Sequence, residues 1–132
     1  ITVSPIRYAK YGFHGSQLSK ATLLLAADRL VRQNPGIVSY FPAYELMNDE
    51  LRDYRFYEED MLHPSSQAVE FIWQRFRAAY FGRAAEQFLE DWRLIREAHG
   101  HKPFHPDSEA HPRFLAKTEE MERRFNEKYF NS

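Results

Sequence analysis

The first 41 residues carry a strand–helix–strand pattern, which restricts the folds open to this chain more than any other feature. Residues 1–4, ITVS, are mostly β-branched or apolar and end at Pro5, so they predict a short strand. A helix capped by Ser19 follows, and residues 37–41, IVSYF, predict a second strand after a Pro-Gly stop. Two strands joined by a crossover helix form a β-α-β unit, in which the strands are parallel. The sequence therefore predicts an α/β fold.

A parallel sheet of two strands is not stable alone, because its edges and both its faces need cover. We therefore expect the remaining strands to come from outside these residues or from an oligomer partner. The segment at 5–18 predicts a loop at the carboxyl end of the first strand, where ligands bind in open parallel sheets. In that loop, Ser16 after Gly15 is a candidate nucleophile. However, no Gly-x-Ser-x-Gly elbow is present, so we favour a plain loop before the capped helix.

Apolar residues at helical spacing predict more helices after Pro42. We expect a short helix at 44–51, a helix capped by Ser65 or Ser66, and two long helices at about 84–98 and 108–129. We expect the aromatic residues of these helices to be core: Trp73, Phe76, Tyr80, Phe88 and Trp92. The predicted domains are residues 1–82, an α/β domain, and residues 83–132, a helical hairpin packed on it.

The composition excludes several classes of function. A net charge of −1 gives no electrostatic basis for binding nucleic acid, and no apolar run approaches the roughly 20 residues that span a membrane. The absence of cysteine excludes disulfides and thiolate metal sites and is typical of a cytoplasmic protein. The histidines at 99, 101, 105 and 111 match no compact metal-ligand spacing. We expect a polar turn there, with neither a metal nor another cofactor.

The main candidate for chemistry is Asp60-Met61-Leu62-His63, which lies just before a predicted helix. An aspartate three residues from a histidine in a turn can reach Nδ1 and leave Nε2 to act as a general base. The alternative is that Asp60 and the neighbouring glutamates favour the helix N-terminus electrostatically, with His63 incidental. Spacing alone leaves both interpretations open. Just upstream, residues 52–55, RDYR, are either a surface ion-pair patch or a recognition element.

Four segments of the sequence are distinctive: TVSPIR, LSKATLLLAADRL, SYFPAYELMNDELRDYRFYEEDMLHPS and HKPFHPDSEAHPRFL. Together they resemble the C-terminal part of the GSCFA family, and the resemblance covers nearly the whole chain. The family is similar to the SGNH, or GDSL-like, hydrolases, so the resemblance implies a three-layer, flavodoxin-like α/β/α sandwich. It also implies catalysis by a serine, with His63 as general base and Asp60 as the residue that orients it.

The Gly-Ser-Cys-Phe-Ala motif that names the family, and that carries its presumed serine, does not occur in this sequence. We therefore expect the C-terminal part of a serine esterase, which acts on a small-molecule or carbohydrate-linked ester when complete. On its own, this chain is expected to be inactive. The alternative function is a non-enzymatic module whose helical hairpin binds a protein partner.

Overall fold

The structure is a computed structural model that describes residues 1–100 and 110–131, with the side chains of all except residues 110 and 111. Five helices account for most of these residues: α1 (Gly12–Gln33), α2 (Ala43–Glu45, continued by a π-helical turn at Leu46–Leu51), α3 (Ser66–Tyr80), α4 (Arg83–Gly100) and α5 (Ala110–Tyr129). The chain divides into two compact units, Ile1–Ala79 and Tyr80–Ser132. None of the helices described is both long enough and apolar enough to span a bilayer.

The predicted β-α-β unit, and with it the α/β/α sandwich, is wrong, because the described residues form no strand or sheet. The two segments expected as strands do lie side by side, but a single parallel bridge between Thr2 and Phe41 joins them. The Phe41 N–H donates to the Ile1 carbonyl over 2.8 Å, and the Ile1 ammonium donates to the Ser39 carbonyl over 2.8 Å. Proline directly follows each segment and has no N–H to continue a ladder, so the pairing ends after a few residues.

The first long helix begins at Gly12, well before the expected start at Ser19, so the predicted loop at 5–18 is wrong over its second half. Gly12 has a φ of 72°, a left-handed value that glycine adopts readily. This conformation lets the chain leave the 3-10 turn at Ala9–Tyr11 and start α1 at once. As a result, Ser16 lies on a helix rather than in a loop.

The core of the first unit lies between α3 and the segment from Phe41 to Phe56. Ala68 is fully buried against Met47, Leu51 and Phe56, while Phe71 and Ile72 pack on this cluster and on a second one. The second cluster contains Phe41, Ala43 and Leu46. The predicted short helix at 44–51 is confirmed as α2 and its π-helical turn.

The expectation that the aromatic residues are all core is wrong at three positions. Trp73, Tyr80 and Trp92 keep 36%, 44% and 45% of their surface exposed. The fully buried residue of α3 is instead the small Ala68, which packs against Met47, Leu51 and Phe56.

The second unit is an antiparallel pair of helices. The Phe88 ring near the start of α4 lies 4.9 Å from the Tyr129 ring at the end of α5. Farther along α4, Ile95 is buried and His99 contacts the Glu122 carboxylate. The start that we predicted for the last helix, Ser108, lies outside the described residues.

Candidate active site

The Asp60–His63 segment forms the tip of a short hairpin. Tyr57 and Pro64 pair through an antiparallel bridge, and the Glu58 N–H donates to the His63 carbonyl over 2.8 Å. At the tip, the Met61 N–H donates to the Glu58 carbonyl over 2.9 Å. Met61 itself has a φ of 60°, in the left-handed region that few non-glycine residues occupy. The chain therefore turns sharply enough to bring the Asp60 side chain back over the residues that follow it.

Among the described residues, the Asp60 carboxylate makes three hydrogen bonds, and all three partners lie within the hairpin. Its Oδ1 accepts from the Leu62 N–H over 2.8 Å and from the His63 N–H over 3.0 Å. Its Oδ2 lies 2.5 Å from His63 Nδ1. The backbone N–H of His63, then that of Leu62, then the imidazole lower the pKa of Asp60 from 3.8 to about 2. The carboxylate is therefore ionised at neutral pH.

This ionised carboxylate fixes the tautomer of His63. A carboxylate without a proton can only accept a hydrogen bond, so the neighbouring Nδ1 must carry the proton. In the neutral imidazole, Nε2 then presents its lone pair. No group in the described parts of the chain hydrogen-bonds to Nε2, and 57% of the His63 side chain is exposed. The ring is thus oriented by its neighbour and open to an incoming proton donor.

Arg7, which lies far from the hairpin in sequence, hydrogen-bonds to two residues at its tip. Its backbone N–H donates to the Leu62 carbonyl over 3.0 Å, and its guanidinium donates to the Met61 carbonyl over 3.3 Å. The guanidinium carbon lies 4.4 Å from the centre of the Tyr57 ring. The sequence analysis did not find Arg7. Its only signal was the predicted loop at 5–18, which marked a place for ligands but did not indicate a residue.

Hydrogen bonds at the base of the hairpin connect it to the N-terminus of α3. The Ser65 N–H donates to the Phe56 carbonyl over 2.7 Å, and Ser65 Oγ accepts from the Ala68 N–H over 3.3 Å. Ser65 is therefore the N-cap of α3, and it is one of the two residues that we predicted for this cap. The acid that contacts the helix N-terminus is Glu58, whose carboxylate accepts from the Ser66 N–H over 3.2 Å. In the part of the chain that the structure describes, Asp60 bonds only within the hairpin, so the helix-terminus interpretation applies to Glu58 rather than to Asp60.

The other candidates do not join this site. Ser16 is 5% exposed, and its Oγ accepts a hydrogen bond from the Tyr8 N–H over 3.1 Å, so its hydroxyl is buried. Of the histidines near residue 100, His99 contacts Glu122, while His101, His105 and the side chain of His111 lie outside the described residues. Over the described ranges, no group of three histidine or acidic side chains is placed to hold a metal ion.

Two protein-family models match the sequence. The model described as the GSCFA family matches residues 1–76, which is more than half of the chain. The model described as the GSCFA domain protein, C-terminal domain, matches residues 92–132. No curated protein and no solved structure matches the chain. The first of these family models includes the whole hairpin with Asp60 and His63.

Proposed function

The chain belongs to the GSCFA family, and from this membership and the hairpin geometry we propose that it carries the catalytic base of a serine ester or acyl hydrolase. The contact between Asp60 Oδ2 and His63 Nδ1, at 2.5 Å, is the observation that carries the proposal. An oriented imidazole with a free Nε2 is the form of histidine that removes a proton from a serine hydroxyl.

In the proposed reaction, Nε2 of His63 takes the hydroxyl proton as the serine oxygen attacks the ester carbonyl carbon. Asp60 stabilises the imidazolium that forms, without itself taking the proton. When the tetrahedral intermediate collapses, the bond to the alcohol oxygen breaks and His63 gives its proton to that oxygen. A water then attacks the acyl carbon, with His63 again accepting the proton. The bond from the acyl carbon to the serine oxygen breaks, His63 gives its proton to that oxygen, and the carboxylic acid leaves. The scheme uses neither a metal nor an organic cofactor.

We further propose that the nucleophilic serine comes from outside these 132 residues. The chain has no cysteine, so it does not contain the Gly-Ser-Cys-Phe-Ala motif, and Ser16 is buried with its oxygen in a hydrogen bond. Under this proposal the 132-residue chain alone hydrolyses no ester, whereas a protein that combines it with the motif segment does.

The proposal is tested with a fluorogenic short-chain ester and a protein that contains both the motif segment and this chain. His63→Ala is expected to lower kcat by at least about 100-fold, because it removes the general base. His14→Ala is the matched control, since it removes an exposed histidine from α1 and should leave the rate unchanged. Equal rates for the His63→Ala and unaltered proteins would refute the proposal.

A further inference from the structure

A small polar recess lies beside the hairpin that carries His63. It has a volume of about 210 Å³, and its lining includes Arg7, Asn48, Arg52, Asp53, Tyr54 and Tyr57. We propose that this recess binds an anionic group, a carboxylate or a phosphate, carried by the ester substrate. The identification of the ligand as a substrate rests on the proposed function, whereas the anion site itself rests on the geometry of the recess.

Arg52 is held in a conformation that an arginine rarely adopts. Its φ is 33°, and its N–H donates to the Met47 carbonyl over 3.3 Å, which ends the π-helical turn of α2. Glycine is the usual residue at such a helix end, because it has no Cβ to strain there. The Arg52 guanidinium has no ion-pair partner among the described residues. Strain of this kind is often found at binding sites, where a side chain with a specific function is retained.

Arg7 supplies a second guanidinium, fixed in orientation by aromatic rings. Its guanidinium carbon lies 4.4 Å from the Tyr57 ring centre and 5.7 Å from the Tyr54 ring centre. One of its nitrogens donates to the Met61 carbonyl, which leaves other N–H groups available. A guanidinium held against aromatic rings needs little further ordering to bind a carboxylate or phosphate through two N–H groups.

The charges around the recess favour an anion over a neutral sugar. The lining contains two arginines and one acid, Asp53, whose Oδ1 already accepts the Arg55 N–H over 2.9 Å. Of the two interpretations of residues 52–55, the proposal therefore favours the recognition element, with an anion as its ligand.

Arg7 and Tyr57 connect the recess to the hairpin that carries the base. Arg7 donates to the carbonyls of Met61 and Leu62, the two residues before His63, and Tyr57 pairs with Pro64, the residue after it. Two residues of the recess thus contact the hairpin on either side of His63. Under the proposal, one small ester places its charged end in the recess and its carbonyl at the imidazole.

The anion site is tested by amide NMR titration of the 132-residue chain with inorganic phosphate and, separately, with succinate, at constant ionic strength. We expect saturable shifts in the amides of residues 47–57 with at least one of the two probes. Arg52→Gly should weaken this binding about tenfold or more, since it removes one charged hydrogen-bonding group. Glycine suits the backbone at this position, so the variant keeps the fold.

Arg29→Gln, which neutralises an exposed arginine of α1, is the charge-matched control and should leave the binding unchanged. Absence of saturable shifts with both probes, or equal binding by the Arg52→Gly and unaltered chains, would overturn the anion site. In a protein that combines the motif segment with this chain, His63→Ala should keep the binding while losing ester hydrolysis. If the unaltered combined protein binds the probe but hydrolyses no ester, that result contradicts the proposed function and leaves the anion site standing.

Discussion

Replacing Asp60 by asparagine separates its structural and catalytic contributions. The side-chain oxygen of asparagine can still accept the N–H groups of Leu62 and His63, which donate to Asp60 Oδ1 over 2.8 and 3.0 Å. The amide nitrogen then takes the place of Oδ2, which lies 2.5 Å from His63 Nδ1. An amide nitrogen only donates hydrogen bonds, so Nδ1 becomes the acceptor and the imidazole proton moves to Nε2. Two of the three hydrogen bonds survive, and the third imposes the wrong tautomer.

The expected consequence is a folded hairpin without a usable base. The same kind of substitution in a serine triad lowers kcat by about 10⁴, and we expect a loss of about 10³–10⁴ here. KM should change little, because Asp60 acts on the base and not on bound substrate. The assay is ester hydrolysis by a protein that combines the motif segment with this chain.

The tautomer can be measured on the 132-residue chain itself by ¹⁵N NMR of the His63 ring. The unaltered chain should carry its neutral-ring proton on Nδ1, and Asp60→Asn should carry it on Nε2. Unchanged tautomers, or a kcat within threefold of the unaltered protein, would refute the reasoning.

Three further predictions concern the stability of the hairpin and of the core behind it. The pKa of Asp60 is lowered from 3.8 to about 2, so its stabilising effect is complete above pH 3.8 and is lost as the pH falls towards 2. A midpoint near 3.8 in a ¹³C titration of its carboxyl would contradict this. Met61→Val should lower the free energy of unfolding in urea by about 1–3 kcal/mol, because a β-branched residue fits a φ of 60° poorly, whereas Met61→Gly should lower it by less than about 0.5 kcal/mol. Phe56→Ala should lower it by about 3 kcal/mol through loss of buried packing, whereas Tyr54→Ala, at an exposed ring, should change it by no more than about 0.5 kcal/mol. Similar losses for both aromatic variants would argue against the core assignment.

Features that depend on neighbours in sequence could be predicted, and features that depend on distant contacts could not. The reach of Asp60 to His63 Nδ1 follows from a three-residue spacing within a turn, and the Ser65 cap follows from local helix chemistry. The support from Arg7 joins residues 54 positions apart, and no local pattern specifies it.

The strand predictions failed for a related reason. The residues at 1–4 and 37–41 have the composition of strands, but a sheet also requires long-range pairing over several residues. Between Thr2 and Phe41 that pairing is limited to one bridge. Likewise, helical periodicity placed Trp73 on the apolar face of α3, but it could not show that this face is only partly covered among the described residues.

The most direct test of the central claim is the rate at which an alkyl fluorophosphonate labels serine in a protein that carries the motif segment and this chain. If His63 is the base, a single serine outside these 132 residues should be labelled, and His63→Ala should slow the labelling by at least about 100-fold. The exposed His14 is the control, and His14→Ala should leave the labelling rate unchanged. Labelling that proceeds equally fast without His63, or labelling of Ser16, would contradict the account.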